Sequence, residues 1–247
     1  MKRLVYIAVL LALPLTGFAQ SDDFGVWTSV GIESKINKKW SVGAETELRL
    51  RDNASELDRW SIGLNTSYKF TRWLKGSVGA SLLDSHREKT SYYADGSPEY
   101  ISDYHSMRYR VNVSLTGDTH FGRLQVSLRE RWQYTYRPAQ WVNRFDVDND
   151  EYEDKAHEYK GKGKNVLRSR LQFDYDIPSC KADPYANVEF FNAWSVEKIR
   201  YTVGVEWNIT KQHKLGINYK YQNVRGGNDF DGEPNSHILG VEYTYKL

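Results

Sequence analysis

The sequence predicts an all-β protein: a transmembrane, antiparallel, up-and-down β-barrel of 10 to 12 strands, with 12 favoured. Three observations lead there. Apolar and polar residues alternate in runs of strand length. The breaks between runs are alternately short and long. Aromatic residues cluster near the ends of the runs. In GVWTSVGIES, Val26, Thr28, Val30 and Ile32 share one face, and Trp27, Ser29, Gly31 and Glu33 share the other. A period of two belongs to strands. The closing run HILGVEYTYKL places Leu239, Val241, Tyr243, Tyr245 and Leu247 on one face.

Taken in order, strands are expected near 24–36, 40–51, 58–70, 74–84, 104–116, 121–136, 166–177, 185–194, 198–209, 214–223 and 236–247. Each is long enough to cross a bilayer at a tilt. Tight breaks are expected at 37–39, 71–73, 117–120, 178–184 and 210–213, and these read as periplasmic turns. Breaks at 85–103, 137–165 and 225–235 are longer, more charged and read as extracellular loops. These runs number eleven, whereas single-chain bacterial barrels have even counts with both termini in the periplasm. That rule favours twelve.

Trp40, Phe70, Trp73, Phe121, Tyr175, Tyr185, Trp207 and Tyr245 lie near short turns and are expected to form a periplasmic aromatic girdle. Trp60, Trp132, Tyr134, Tyr136, Trp194 and Tyr221 are expected to form the outer one. A soluble barrel with an apolar interior shows the same alternation but requires neither girdle.

Residues 1–19 combine a basic start (Lys2, Arg3), an apolar stretch too short to span a bilayer, and small residues Gly17 and Ala19, which predicts a secretory signal cleaved before Gln20. Residues 20–247 then form a single barrel domain. Without Lys2 and Arg3 the formal charge of +2 disappears, so net charge argues neither for nor against nucleic acid, and no nucleic-acid partner is expected. A mean hydropathy of -0.69 excludes a helical membrane protein but not a barrel, in which only alternate residues meet lipid. The single Cys180 permits no internal disulfide.

The runs DFGVWTSVGIESKINKKWSVGAETELRLRD, NVLRSRLQFDYDI and IRYTVGVEWNITKQHKLGINYKYQ, with HILGVEYTYKL at the end, resemble the outer-membrane barrels grouped as domain of unknown function twenty-four-ninety. The resemblance covers nearly the whole mature chain and implies a barrel and an outer-membrane location. It brings no activity, substrate or catalytic residue.

On the polar faces, ten arginines fall at similar distances from the short turns: Arg49, Arg51, Arg59, Arg108, Arg110, Arg129, Arg131, Arg168, Arg170 and Arg200. They are expected to form one belt in the extracellular half of the lumen. Glu33, Asp174, Asp176 and Glu206 lie nearer the periplasmic end, and Glu45, Glu47 and Glu242 nearer the middle. Buried charges persist only when paired. Such a belt is therefore either a structural plug of arginine with glutamate and tyrosine, or an anion-preferring interior, whether the constriction of a small channel or a binding barrel completed by a small anionic molecule.

Weaker candidates remain. DVDNDEYED puts Asp146, Asp148 and Asp150 at the spacing of a calcium loop but lacks the required Gly and closing Glu, which favours an ordinary acidic loop. Asp84 with His86, and Asp103 with His105, are a candidate acid and base for an outer-membrane hydrolase at the rim. No nucleophile can be placed beside them, so a non-enzymatic barrel is expected, without metal or cofactor. A partner-binding platform built from the loops at 85–103 and 137–165 is the third reading. The implied partners are the bilayer of the outer membrane, the barrel assembly machinery and an anionic small molecule.

Overall fold

The computed structural model describes residues 22–225 and 234–247, so the expected signal and most of the last long loop lie outside the described residues. Eleven strands form the barrel: β1 Asp23–Lys35, β2 Trp40–Arg51, β3 Glu56–Lys69, β4 Leu74–Tyr92, β5 Pro98–Phe121, β6 Leu124–Arg137, β7 Lys162–Tyr175, β8 Ala182–Asn192, β9 Val196–Asn208, β10 His213–Val224 and β11 Ser236–Lys246. Sequential neighbours pair antiparallel throughout.

The count lies within the expected range but is eleven, not the favoured twelve. With eleven strands, β1 and β11 both run from the long-loop end to the short-turn end. They can close the barrel only in parallel, and they do, from Asp23 opposite Ser236 to Glu33 opposite Lys246. Parallel pairing is slightly weaker per residue than antiparallel pairing. It still satisfies every strand edge, which a bilayer requires.

The strands are tilted, and the register shows it. Starting from Ser41 on β2, successive cross-strand partners are Ser67, Ser77, Ser114, Arg131, Arg168, Phe191, Lys198 and Val224. That path climbs from the short-turn end to the long-loop end, as the shear of a closed barrel demands. The β5–β6 turn lies at 122–123, not at 117–120. Gly122 adopts φ 62° there, a left-handed conformation that glycine accepts without strain. Asp118 through Phe121 instead extend β5 against β6.

The faces are inverted relative to a soluble protein. Ile62, Val113 and Val203 are 52 %, 49 % and 45 % exposed on the outside, whereas Asn218 and Arg108 are 0 % and 1 % exposed within. An apolar outside around a polar inside is the arrangement a bilayer selects. Trp40, Phe70, Trp73, Phe121, Tyr175 and Trp207 are exposed at the short-turn end, as the girdle requires. Tyr185 departs from the expected girdle: it points inward and lines the lumen. Glu130 faces outward in the middle of β6, where it accepts a hydrogen bond from the Ser169 hydroxyl at 2.7 Å.

Beyond Arg59 opposite Ser85, the β4–β5 hairpin has no β3 partner and projects past the barrel. The β6–β7 connection folds onto it through short strands at Gln140–Val142, Phe145–Asp146, Glu151–Tyr152 and His157–Tyr159. Phe145 pairs with Ile101, Tyr159 and Ser102 share a hydrogen bond of 2.6 Å, and Arg144 stacks on Tyr100 at 3.9 Å. The two segments expected as separate loops are thus one ordered projection.

Candidate functional site

The lumen divides by depth. Toward the long-loop end it is packed with side chains: Leu83, Ile238, Arg59, Arg108, Ser85, Gln222 and Thr135 are all buried. Toward the short-turn end it holds a cavity of about 640 Å³ whose lining runs from Arg49, Arg110 and Arg200 down to Glu33, Ser41, Lys75, Lys214 and Thr244. A shallow depression of about 70 Å³ opens on the other side, lined by Asp23, Arg51, His86 and Gln222 among others. Trp27 lines both spaces and so stands between them.

Trp27 owes that position to its neighbours. It sits inward on β1 opposite Gly240, whose missing side chain leaves room for Asn218 and the Lys220 ammonium. Arg49 lies over its ring at 3.7 Å and Arg200 at 4.7 Å, with the Lys220 ammonium at 5.3 Å. Cations on an aromatic face are attracted by its quadrupole, so the ring helps to gather positive charge. Its inward alternation is legible in the sequence; its role as a platform depends on β2, β9 and β10 meeting there.

The ten candidate arginines do not form a single belt, because shear sets their heights. Arg51, Arg59 and Arg108 lie in or above the packed part. Arg59 donates to Ser85 at 3.1 Å, and Arg51 contacts Glu56 at 3.3 Å and His86 at 2.8 Å. Arg49 pairs with Glu47 at 2.7 Å, and Arg110 donates to Thr135 at 3.0 Å. The remaining five also line the cavity.

Four of those five stand in register on two adjacent strands. Arg131 is opposite Arg168 and Arg129 opposite Arg170, so β6 and β7 carry a square of four guanidinium groups. Like charges directly opposite each other are destabilising. Relief comes from Glu189 on β8, a buried carboxylate 2.5 Å from Arg129, 2.9 Å from Arg168 and 3.7 Å from Arg200. Both its oxygens are thereby occupied. Arg131 donates to Ser114 at 2.9 Å but has no carboxylate within ion-pair distance among the described residues, and Arg170 has neither a hydrogen bond nor an ion pair there.

Glu189 was not among the sequence candidates. Alternation from Tyr185 through Asn187 puts it on the inward face, but its importance arises only because β8 lies between β7 and β9. The acids nearer the short-turn end form a second group, with Glu206 bound by Lys214 at 2.9 Å and Asp183 accepting from Asn208 at 3.1 Å.

The two His–Asp couples form, but across the hairpin rather than along the chain. His86 contacts Asp103, and His105 contacts Asp84 at 3.0 Å, with the two imidazoles stacked 5.2 Å apart. They alternate with the inward residues Ser85 and Ser106 and lie outside the 640 Å³ cavity, with His86 at the edge of the shallow depression. The candidate calcium loop uses Asp146 to cap its own turn, accepting from the Asp148 and Asn149 amides at 3.0 and 3.2 Å. Among the described residues no group of three metal-ligating side chains converges. In the same projection Arg144 grips Glu153 through two bonds of 2.7 Å, and those hydrogen bonds hold the Glu153 carboxyl below its usual range. A hydrogen bond to Asp148 pushes the Tyr93 hydroxyl up to about 12.

A polar, charged lumen inside an apolar outer belt, with every strand edge paired, defines an outer-membrane β-barrel. The chain belongs to the family described as Protein of unknown function (DUF2490), whose model matches residues 24–232. Among solved structures it is similar to the beta domain of the Bordetella autotransporter BrkA, at 13% identity over 83% of this chain and 79% of that one, with a TM-score of 0.52. It is also similar to the translocator domain of the autotransporter NalP from Neisseria meningitidis, at 12% identity over 90% of this chain and 89% of that one, with a TM-score of 0.51. At these identities the likeness concerns the fold alone. No curated protein matches the sequence.

Proposed function

We propose that this outer-membrane barrel binds small anions in its lumen, and that the arginines of β6, β7 and β9 are the binding groups. One observation carries the reading: five guanidinium groups converge on one stretch of cavity wall, where the Glu189 carboxylate pairs with three of them. Guanidinium groups match the planar oxygens of carboxylates and phosphates, and rings of arginine select anions in pores. An anion between Arg131 and Arg170 completes the square that Glu189 only half neutralises. The packing around Trp27 makes a binding barrel, or a channel gated at that residue, a better description than a constitutively open pore.

Thermal unfolding of the purified barrel in detergent tests the reading. Inorganic phosphate is expected to raise the melting temperature, and replacing both Arg131 and Arg170 with Gln is expected to abolish the rise. Planar-bilayer recording in asymmetric potassium chloride supplies the second measurement. Any conductance is expected to show anion selectivity. Cation selectivity together with no phosphate shift overturns the proposal.

A further inference from the structure

The cavity has a second wall of opposite sign. Glu45 and Glu47 on β2 and Glu242 on β11 line it, and these strands lie on the far side of the barrel from β6 and β7. Glu47 is taken up by Arg49 at 2.7 Å, and Glu242 by Lys220 at 3.1 Å. Glu45 has no hydrogen bond or ion pair among the described residues. Its register neighbours explain why it stands clear: Gly31 flanks it on β1 and Gly63 on β3, so no adjacent side chain covers it. Arg131 is among the charges that act on it across the lumen.

Unneutralised cations on one wall therefore face an unneutralised carboxylate on the other, within one cavity of about 640 Å³. That volume falls in the range of roughly 300 to 1,000 Å³ typical of small-molecule sites. A simple anion satisfies only the arginine wall. It also brings negative charge toward Glu45, which favours partners that carry positive charge at their other end.

We infer that the lumen selects zwitterions: small solutes with a carboxylate or phosphate for Arg131 and Arg170 and an ammonium group for Glu45. The inference rests on the anion-binding reading and deepens it by assigning the opposite wall. Lys75 and Lys214 line the same cavity near the short-turn end, and Lys214 is held by Glu206. An ammonium group is thus better placed against the Glu45 wall than toward that end.

The test is a matched series measured by calorimetry on the full barrel in detergent. Glycine, 4-aminobutyrate and 6-aminohexanoate are each compared with acetate, butyrate and hexanoate, and inorganic phosphate is the anion control. At least one amino acid is expected to bind about tenfold more tightly than its amine-free partner, which corresponds to ~1.4 kcal/mol. Glu45→Gln is expected to erase that advantage while leaving phosphate binding equal or stronger, and Glu45→Asp is expected to retain part of it. Arg131→Gln with Arg170→Gln is expected to weaken every probe. If phosphate binds but no amino acid outperforms its partner, or if Glu45→Gln leaves the advantage intact, the zwitterion assignment falls and the anion site stands. If no probe binds, both fall. The comparison within the unmodified protein decides the matter even where a variant fails to fold.

Discussion

Arg108 and Arg131 sit on neighbouring strands and point into the same lumen, yet one is 1 % exposed among packed side chains and the other lines an open cavity. The difference arises from depth. Near the long-loop end, Trp27, Leu83 and Ile238 supply apolar bulk and Ser85 accepts from Arg59, so Arg59 and Arg108 become part of a filled interior. Near the short-turn end, Gly31, Gly43, Gly63 and Gly79 with Ser41, Ser67 and Ser77 leave space, and Arg131 and Arg170 stand opposite other arginines. An inward arginine here becomes part of the packing where large neighbours surround it, and is left lining open space where small ones do.

The largest effect is expected at the boundary between the two regions. Trp27→Ala removes a buried aromatic side chain, a change that costs ~3 to 5 kcal/mol in packed interiors. It also joins the cavity to the outer depression. Urea unfolding of the folded barrel measures the first consequence, and single-channel recording measures the second as a conductance well above that of the unmodified protein. Equal conductance in the two proteins shows that something other than Trp27 separates the spaces.

Glu189→Gln comes next. Removing the carboxylate strands Arg129, Arg168 and Arg200 together, and breaking a buried ion pair from one side typically costs ~3 to 5 kcal/mol. Arg131→Gln in the same square is expected to change stability by less than ~1 kcal/mol, or to raise it, since it relieves a like-charge pair. Parallel urea titrations of the two variants check this asymmetry. If Arg131→Gln proves as damaging as Glu189→Gln, the cavity arginines are structural after all.

The smallest effect lies outside the barrel. Glu153 is held below the usual carboxyl value of 4.5 by its hydrogen bonds to Arg144. A lowered carboxyl stabilises the folded state above its unfolded value, and that contribution disappears as pH falls through the folded value. Protection of the 140–159 segment against hydrogen exchange is therefore expected to hold at neutral pH and to weaken below about pH 4.5, while the barrel strands stay protected. Arg144→Gln is expected to reproduce the weakening at pH 7.

Much of this molecule is readable from its residues alone, because a bilayer imposes a local rule. Each crossing must alternate, so strand positions, inward and outward faces and most of the girdle residues follow from a period of two. The eleven strands fall close to the runs that alternation marks, and Ser41, Glu45, Arg129 and Arg170 point the way their parity dictates. Parity is a property of one strand. Height and neighbourhood belong to the closed barrel, and they depend on a register that no single strand contains.

That is why the parallel closure, the division of the ten arginines between packed interior and cavity wall, and the place of Glu189 emerged only with the tertiary structure. The closure required β1 to find β11 across the whole chain. The square required Arg131 to meet Arg168 rather than a serine, a choice set by the register of the β6–β7 pair. Tyr185, by contrast, faces the lumen by parity alone, two and four residues before Asn187 and Glu189. The sequence by itself determined which residues face inward; the shear of the closed barrel determined which of them meet, because only closure converts positions along separate strands into distances across one lumen.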